Sequence, residues 1–432
     1  MRRVLITLLL FLSPLAAQAQ RPLVVAHWVQ LGPDGAVEAR AVVDGDSCPE
    51  IYADQKAVSM QVRATGNGSF PLVCSVQIPR GAKSVLQAVW EMTPGDESPG
   101  RKVVEVKLPP ADPQRILVFG DTGCRIKGKK LQDCSDPEKW PFRQIAAEAA
   151  KLKPDLVIHV GDYLYREKAC PEGTKGCAGT PFGDNWPTWD ADFFAPGAPL
   201  LAAAPWVFVR GNHEDCARAG SGWLRLLGPS AYDANTPCAA HLAPYSVPLG
   251  AMNLVVMDDA DAPETSVVSD MVPVYRQEFA SLATTKAPSW LLLHRPVWAA
   301  ISGPLGIPIG GNQTLIEAIG TSGIPSPVAL MLSGHIHTFE AINYGKNDHV
   351  PPQVVAGFGG DDLDPTPAIL KGTIFQGHSG VVAKDGLSLP GFGFLLMTKT
   401  AKGWQIDVHD MHGRIERQCL FADGRVDCPM GR

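Results

Sequence analysis

A buried strand that ends in acidic and phenolic side chains constrains this chain more than any other feature. The apolar run at residues 156–160 is typical of a buried parallel strand, and Gly161, Asp162 and Tyr165 follow it directly. In open α/β sheets, ligands bind outside the carboxyl ends of the strands. The stretch therefore predicts an α/β fold with a functional site at this edge of the sheet.

Four further apolar runs, at residues 115–119, 206–209, 289–293 and 328–332, also predict strands that end in polar side chains. Between the first of them and residue 156, an apolar stripe at helical spacing over 142–152 predicts a helix, with Asp136 as its N-cap and Pro137 at its first position. This order fits a right-handed βαβ crossover. The polar side chains at the ends of these four strands are Asp121, Asn212 with His213, His294, and His335 with His337.

These side chains indicate a metal site. Carboxylate, imidazole, amide and phenol groups are ligands for hard or borderline ions such as iron, manganese and zinc. A carboxylate can also bridge two ions about 3.5–4 Å apart, and Asp162 is our candidate for that role. A single Gly-Asp is usually a turn, and a single buried histidine is usually a satisfied core residue. Five such fragments in order, each after an apolar strand, favour a site for two metal ions.

The chain begins with a pattern typical of a secretory signal, predicted to span residues 1–19. Arg2 and Arg3 precede an apolar run at 4–12, and small residues follow at Ala17 and Ala19. A membrane anchor is disfavoured because the run is shorter than the ~20 residues that a membrane span needs. We therefore expect a secreted or periplasmic protein that has no contact with a membrane after cleavage of the signal.

The cysteines support export. All ten follow the predicted signal, and an even number in an exported chain indicates disulfides. A cysteine-ligated zinc is disfavoured because no CxxC-type spacing is present. The simplest pairing joins neighbours in the chain: Cys48–Cys74, Cys124–Cys134, Cys170–Cys177, Cys216–Cys238 and Cys419–Cys428.

Residues 20–112 alternate apolar and polar positions between turn signals, which predicts a small β-sandwich domain. A proline-rich linker at 109–113 separates it from a predicted catalytic domain at 113–432. The net charge of −6, without a basic run, disfavours nucleic acid as a partner. We interpret His378, His409 and His412 as surface residues. The aromatic residues that we expect to pack a helix onto the core, rather than to bind substrate, are Trp186, Trp189, Phe193 and Phe194.

The motifs at 120–123, 161–165, 211–214, 294 and 334–337 resemble those of the metallophosphoesterase (calcineurin-like) superfamily, and the resemblance covers roughly residues 114–345. Gly123 stands where most members have a histidine ligand, and Tyr165 ends the second motif. This combination is similar to the purple acid phosphatases. The resemblance implies a four-layer α/β/β/α sandwich, preceded by a small N-terminal β-sandwich as in larger members of that family.

The resemblance also implies two sets of ligands that share Asp162. His213 would face the phosphate and the leaving group. Because a phenol has a pKa of about 10, a bound phenolate at acid pH favours iron(III) at the first site, with iron(II), zinc or manganese at the second. The first set is Asp121, Asp162, Tyr165 and His337, and the second is Asp162, Asn212, His294 and His335.

We therefore expect an exported phosphatase that hydrolyses small phosphate monoesters with a metal-bound hydroxide. A phosphodiesterase or nucleotidase on the same centre, and a binding protein with a retired active site, remain alternatives. Plant-type members carry further histidines after the position of His294, whereas this chain has Arg295, which we interpret as a candidate for a phosphate contact. The sequence does not indicate an oligomeric state.

Overall fold

The computed structural model describes residues 23–91, 100–128, 130–285, 288–345, 350–375 and 380–429. The predicted signal peptide at residues 1–19 and His378 lie outside these ranges. Within the described part of the chain, no helix is both long enough and apolar enough to cross a membrane.

The N-terminal region contributes eight strands. They are β1 (Leu23–Leu31), β2 (Val37–Asp44), β3 (Glu50–Ala53), β4 (Lys56–Ser59), β5 (Gln61–Ala64), β6 (Leu72–Gln77), β7 (Val85–Glu91) and β8 (Gly100–Glu105).

The following region alternates strands with helices. Its first elements are β9 (Arg115–Phe119), β10 (Ile126–Lys127), β11 (Lys130–Leu131), α1 (Phe142–Lys151), β12 (Leu156–His159), α2 (Trp186–Trp189), α3 (Ala195–Leu201), β13 (Trp206–Phe208), α4 (Gly220–Leu226), β14 (Tyr245–Leu249), β15 (Met252–Val256), α5 (Val272–Ser281) and β16 (Ser289–Leu292). The remaining elements are β17 (Ala300–Ser302), β18 (Pro308–Gly310), α6 (Gln313–Ile319), β19 (Val328–Ser333), β20 (Phe339–Tyr344), β21 (Gln353–Ala356), β22 (Ala383–Leu389), β23 (Gly393–Thr400), β24 (Gly403–Asp410), β25 (Ile415–Ala422) and β26 (Arg425–Asp427).

Two large sheets form the centre of the molecule. The first has eleven strands in the order β26-β25-β24-β23-β9-β12-β13-β1-β2-β6-β5, and the second has seven in the order β14-β15-β16-β19-β21-β20-β22. Strands β9, β12 and β13 are parallel to one another, as are β15, β16, β19 and β21. The carboxyl ends of the central strands of each sheet therefore lie at a common edge.

Alternate side chains of the central strands fill different layers of the core. In β9, Ile116 and Val118 pack between the two sheets, whereas Leu117 and Phe119 pack against the helices on the other face. In β16, Leu292 faces the other sheet and Leu291 faces the helices that cover the second sheet. Both faces are buried, which explains the continuous apolar runs in the sequence. The predicted four-layer α/β/β/α sandwich is confirmed.

The N-terminal strands form a sandwich that shares a sheet with the rest of the chain. Strands β3, β4, β7 and β8 form a separate four-stranded sheet, and it packs through a common apolar core against β1, β2 and β6 of the neighbouring group β1, β2, β6 and β5. These four strands extend the eleven-stranded sheet, because β1 pairs with β13 in parallel, with Gln30 opposite Trp206. The two predicted domains are therefore joined by one sheet, and a boundary at residue 112 stays a prediction.

Several local predictions can be compared with the structure. All five predicted disulfides are present. The aromatic side chains of Trp189, Phe193 and Phe194 are buried in the core beneath the helices, as we expected. Asp136 is not an N-cap: α1 begins at Phe142, and Asp136 instead closes a turn in which Trp140 N–H donates to its backbone carbonyl at 2.8 Å.

Two of the three histidines that we interpreted as surface residues lie in the described part of the chain, and their outcomes differ. His412 is exposed, as predicted. His409 is not a surface residue, because its side chain is buried in β24, where its ring stacks on Phe394 at 4.8 Å between ring centroids. A strand that is covered on both faces buries polar as well as apolar side chains, and the short local sequence does not reveal this.

Candidate metal centre

The five strand ends meet at one edge of the sandwich, where the carboxyl ends of the central strands of both sheets lie close together. Asp121, Asp162 and Asn212 follow β9, β12 and β13 of the first sheet, and His294 and His335 follow β16 and β19 of the second. Backbone contacts join the loops: Asp121 N–H donates to Gly161 O at 2.9 Å, and Gly334 N–H donates to His294 O at 2.9 Å. The site is therefore built from both sheets.

One group of donors surrounds the Tyr165 hydroxyl. Its oxygen lies 3.0 Å from Asp121 Oδ1, 2.9 Å from Asp162 Oδ2 and 3.0 Å from His337 Nε2. His337 Nδ1 lies 2.7 Å from the backbone carbonyl of Asp362. Because a carbonyl only accepts hydrogen bonds, Nδ1 carries the proton and the lone pair of Nε2 faces the hydroxyl. These four side chains are the predicted ligands of the first site.

The second group contains the ligands predicted for the second site. His294 Nε2 lies 3.1 Å from Asn212 Oδ1, 3.2 Å from Asp162 Oδ2 and 3.3 Å from His335 Nδ1. The donor atoms of Asp162, His294 and His335 all lie within 4.8 Å of one another. Asp162 belongs to both groups, which is the position expected of a bridging ligand.

The second group fits a cation because its atoms are acceptors. His294 Nδ1 lies 2.8 Å from Val160 O and therefore carries a proton, so the lone pair of Nε2 points into the group. His335 Nε2 lies 2.9 Å from Glu264 Oε1, so its Nδ1 is the nitrogen left with a lone pair. Two imidazole lone pairs then face each other beside a carboxylate and an amide oxygen. A shared positive ion satisfies this arrangement.

The charges around the histidines favour a positive ion in the same way. Burial alone would lower the pKa of His294, but the carboxylate of Asp162 outweighs burial and raises it to about 9. Burial also opposes protonation of His337, but Asp361 and Asp121 outweigh it and raise its pKa to about 10. A proton and a metal ion therefore compete for the same nitrogens.

His213 lies beside both groups. Its backbone N–H donates to Asp162 Oδ1 at 2.8 Å, and its ring lies over that of Tyr165 with 3.9 Å between the centroids. Its Nδ1 lies 2.7 Å from Glu167 Oε1, an ion-pair distance. Its Nε2 lies 3.8 Å from Asp162 Oδ2. This nitrogen therefore faces the place where the two groups meet.

The absence of a histidine at position 123 has a steric reason. A Cβ atom on Gly123 would lie 2.7 Å from Tyr163 O, 2.8 Å from Tyr165 N and 2.9 Å from Tyr165 Cδ2. Such distances are too short for any side chain at this position. The backbone and the ring of the loop that carries Tyr165 therefore leave no room for a side chain at position 123.

Sequence reasoning missed the carboxylates that anchor the loops. Glu214 accepts hydrogen bonds from the backbone N–H groups of Gly211, Asp162, Tyr163 and Leu164 at 2.9–3.2 Å, and so ties the second motif to the third. In the same way, Asp259 accepts from the N–H groups at 294 and 295, and Asp192 accepts from those at 124, 165 and 166.

Arg295, the candidate phosphate contact, lies at the second group. It is buried and forms an ion pair with Glu264, and its Nη1 lies 3.3 Å from His335 Nε2. Its Nε donates to Ala260 O at 3.3 Å, so a contact with phosphate would use Nη2. A corresponding ion pair joins Arg125 to Asp361 beside His337. Asp361 could have been found from the sequence, because it follows strand β21, whereas nothing marks Glu264.

The sequence of residues 114–339 matches the family model described as calcineurin-like phosphoesterase, over more than half of the 432-residue chain. The chain belongs to this family. Calcineurin-like phosphoesterases generally bind two metal ions, and the two donor groups lie where the family motifs end. The resemblance noted in the sequence is therefore confirmed at the level of the family.

Two solved structures resemble this calcineurin-like phosphoesterase in fold. One is a purple acid phosphatase from yellow lupin (Lupinus luteus) seeds, with 13% sequence identity, a TM-score of 0.58, and coverage of 92% of this chain and 74% of that chain. The other is PhoD, with 13% identity, a TM-score of 0.56, and coverage of 95% and 92%. At this identity the likeness concerns the fold alone. A search of curated proteins gives no significant match.

All of the predicted site residues thus come together in one centre. The seven predicted ligands form the two groups, and His213 and Arg295 lie against them. The roles assigned to them from the sequence stay predictions.

Proposed function

We propose that this protein is an exported phosphatase that hydrolyses small phosphate monoesters at two metal ions, in the manner of a purple acid phosphatase. One observation carries the proposal. Asp162 Oδ2 lies 2.9 Å from the Tyr165 hydroxyl and 3.2 Å from His294 Nε2, so one carboxylate serves both donor groups. When bound, the ions would supply Lewis acidity to the phosphoryl group and lower the pKa of the attacking water.

The chemistry of the donors supports iron(III) at the first site. Burial raises the pKa of the Tyr165 phenol well above its usual range, and the carboxylates of Asp121 and Asp162 raise it further. Deprotonation of this phenol therefore requires a strongly Lewis-acidic ion. Iron(II), zinc or manganese would suit the second site, where the donors are two imidazoles, an amide and the shared carboxylate.

His213 is the group that we propose to protonate the leaving oxygen. Its Nδ1 lies 2.7 Å from Glu167 Oε1, which favours a proton on that nitrogen and fixes the orientation of the ring. Burial would raise the pKa of Glu167, but His213, together with Lys127 and Arg218, outweighs burial and lowers it. Glu167 therefore stays ionised at mildly acidic pH and holds the ring so that Nε2, the nitrogen that we propose as the proton donor, faces the centre.

Arg295 supports the proposal as a candidate phosphate contact beside the second site. A guanidinium can bind a phosphate oxygen through a charge-assisted hydrogen bond. The five disulfides support export, because disulfides persist in oxidising compartments such as the periplasm and the extracellular space. The signal peptide that would direct export is proposed from the sequence alone.

The visible absorption spectrum, recorded with elemental analysis of the same sample, tests the metal part of the proposal. We expect iron and a charge-transfer band that disappears in the variant Tyr165→Phe. A colourless protein with two zinc or manganese ions would contradict iron(III)–phenolate binding while retaining a phosphoesterase.

A comparison of one phosphate monoester with its matching diester tests the substrate class. We expect the monoester to be cleaved faster. Faster cleavage of the diester would favour the alternative of a phosphodiesterase or nucleotidase, because the same pair of ions can serve both reactions. Full metal occupancy without turnover of either ester would favour a binding protein.

A further inference from the structure

Each donor group has a carboxylate–arginine pair directly behind one of its histidines. Behind the second group, Glu264 Oε1 accepts from His335 Nε2 at 2.9 Å and also pairs with Arg295. Behind the first group, the carboxylate of Asp361 pairs with Arg125 and lies 3.4 Å from His337 Nδ1. Glu264 and Arg295 lie in the loops that follow β15 and β16, whereas Arg125 and Asp361 lie in the loops that follow β9 and β21.

We propose that these two carboxylate–arginine pairs are positioning groups, one for each ion, and that each sets the histidine in front of it without binding metal itself. The proposal rests on the proposed function. A histidine that binds metal usually donates its other ring N–H to an outer group, which fixes the tautomer and the ring orientation. Glu264 meets this requirement at His335, because a carboxylate accepts only.

Glu264 fixes the orientation of the His335 ring. The orientation of the ring decides which nitrogen faces the second group, and here Nδ1 lies 3.3 Å from His294 Nε2. Without an acceptor at Nε2, the ring could turn or carry its proton on Nδ1. Arg295 balances the charge of Glu264, so that the pair adds orientation but little net charge beside a cation.

The arrangement at His337 uses three groups. His337 Nδ1 donates to Asp362 O at 2.7 Å, and the side chain of Asp361 lies against the same nitrogen. Arg125 pairs with Asp361, and its guanidinium carbon lies 5.4 Å from the centroid of the Tyr165 ring. This pair therefore contacts both the histidine and the phenol of the first site.

Selective loss of one ion is the result that distinguishes this proposal from a general structural role. Glu264→Gln keeps the size of the side chain and removes its charge. Loss of an outer partner typically costs about 10–100-fold in metal affinity. We expect Glu264→Gln to release one of two ions at about 10–100-fold lower chelator concentration, while the other ion and any visible band are retained.

The matched control is Glu278→Gln. Glu278 Oε1 lies 2.7 Å from His241 Nε2, so it is also a glutamate paired with a histidine, but it lies outside both donor groups. We expect this control to release both ions as the unmodified protein does. Equal release from the two variants, or loss of both ions together from Glu264→Gln, would overturn the proposal.

Asp361→Asn provides the complementary test at the first site, with Asp385→Asn, which breaks a distant pair with Arg425, as its control. We expect the opposite selectivity: the visible band shifts or the first ion is lost, and the second ion is retained. Because a partly buried arginine without a partner can destabilise the fold, the double variant Asp361→Asn with Arg125→Gln should be measured too. Unchanged spectra and metal content in every Asp361 variant would overturn this half.

A wrong proposed function would give a different experimental result from a wrong assignment of the positioning groups. In that case the unmodified protein would hold fewer than two ions, or would cleave no phosphate ester, before any variant is compared. The chelator titration therefore separates a wrong assignment of the positioning groups from a wrong assignment of the centre.

Discussion

Substitution of Arg63 should destabilise the whole protein, although this residue lies in the predicted N-terminal domain. Its Nε donates to Arg225 O at 2.9 Å, and its Nη2 donates to Leu224, Gly228 and Ser230 O at 2.9, 3.0 and 2.8 Å. These carbonyls lie at and beyond the C-terminal end of helix α4, where they have no partners within the helix. Arg63 therefore caps this helix with a positive charge.

The expected loss in the free energy of unfolding depends on how many carbonyls lose their hydrogen-bond donor in Arg63→Met. The carbonyl of Gly228 retains Arg40 Nη2 at 2.8 Å, and water can replace the donor at exposed Ser230. Two part-buried carbonyls remain. A hydrogen bond from a charged group contributes about 1.5–3 kcal/mol, and the lower value suits partly buried groups. We therefore expect a loss of about 3 kcal/mol in the free energy of unfolding.

Urea denaturation at constant metal concentration measures this loss, with exposed Arg80→Met as the control, for which we expect a change within about 0.5 kcal/mol. Because strands β1, β2, β5 and β6 belong to the sheet that also carries β9, β12 and β13, we expect a single transition that shifts as a whole. A loss below about 1 kcal/mol, or two transitions of which Arg63→Met moves only the first, would refute the reasoning.

Three further substitutions test the centre. His213→Ala should retain both ions and lower kcat by about 10²–10⁴-fold, as measured by turnover with elemental analysis; loss of metal would contradict its role. Glu167→Gln should weaken the dependence of the free energy of unfolding on pH in the acid range. The lowered pKa of Glu167 means that its contribution to stability is present above about pH 4.5 and is lost as the pH falls further. Urea unfolding at neutral and acid pH measures this dependence, and an unchanged dependence would contradict the ion pair. Gly123→Ala should lower stability by about 1–3 kcal/mol and perturb any band of Tyr165, as followed by urea unfolding and absorption; normal stability would show that the loop can yield.

The sequence was most informative where chemistry and periodicity coincide. Each predicted ligand follows an apolar strand, and parallel strands place their carboxyl ends at one edge, so position in the sequence translated directly into position in space. His409 shows the limit of this logic. It lies within strand β24 rather than after a strand, and its burial depends on contacts with other strands, such as that with Phe394 opposite it in β23.

The outer groups of the centre were harder to predict because they follow no periodic element. Glu264 lies in the loop between β15 and α5, and only the folded chain brings it to His335, 71 residues away in sequence order. The sequence also did not reveal that the N-terminal strands share a sheet with the strands of the predicted catalytic domain. Alternation predicts that a strand has a buried face, but not which strand lies beside it, and the pairing of β1 with β13 crosses the predicted boundary.

The conformation of the ligand residues explains why a glycine precedes the bridging aspartate. Asp162 has a φ of 58°, in the left-handed region, and Gly161 before it has a φ of 101°. A Cβ atom on Gly161 would lie 2.3 Å from Nδ1 of His294, the ring that closes the second group. Glycine tolerates this backbone, and aspartate is among the few other residues that adopt a positive φ readily.

Two successive left-handed residues turn the chain sharply at the end of β12, and the strain of about 1–3 kcal/mol at a residue such as Asp162 must be offset elsewhere. The four backbone N–H groups held by Glu214, among them that of Asp162, provide the compensation within the same loop. In Glu214→Gln, an amide nitrogen, which donates hydrogen bonds, takes the place of a carboxylate oxygen that accepts two of these four bonds. It should therefore release the strained turn and weaken both donor groups together, unlike Glu264→Gln, which should weaken one. Retention of both ions by Glu214→Gln in the chelator titration would show that the turn holds without this anchor.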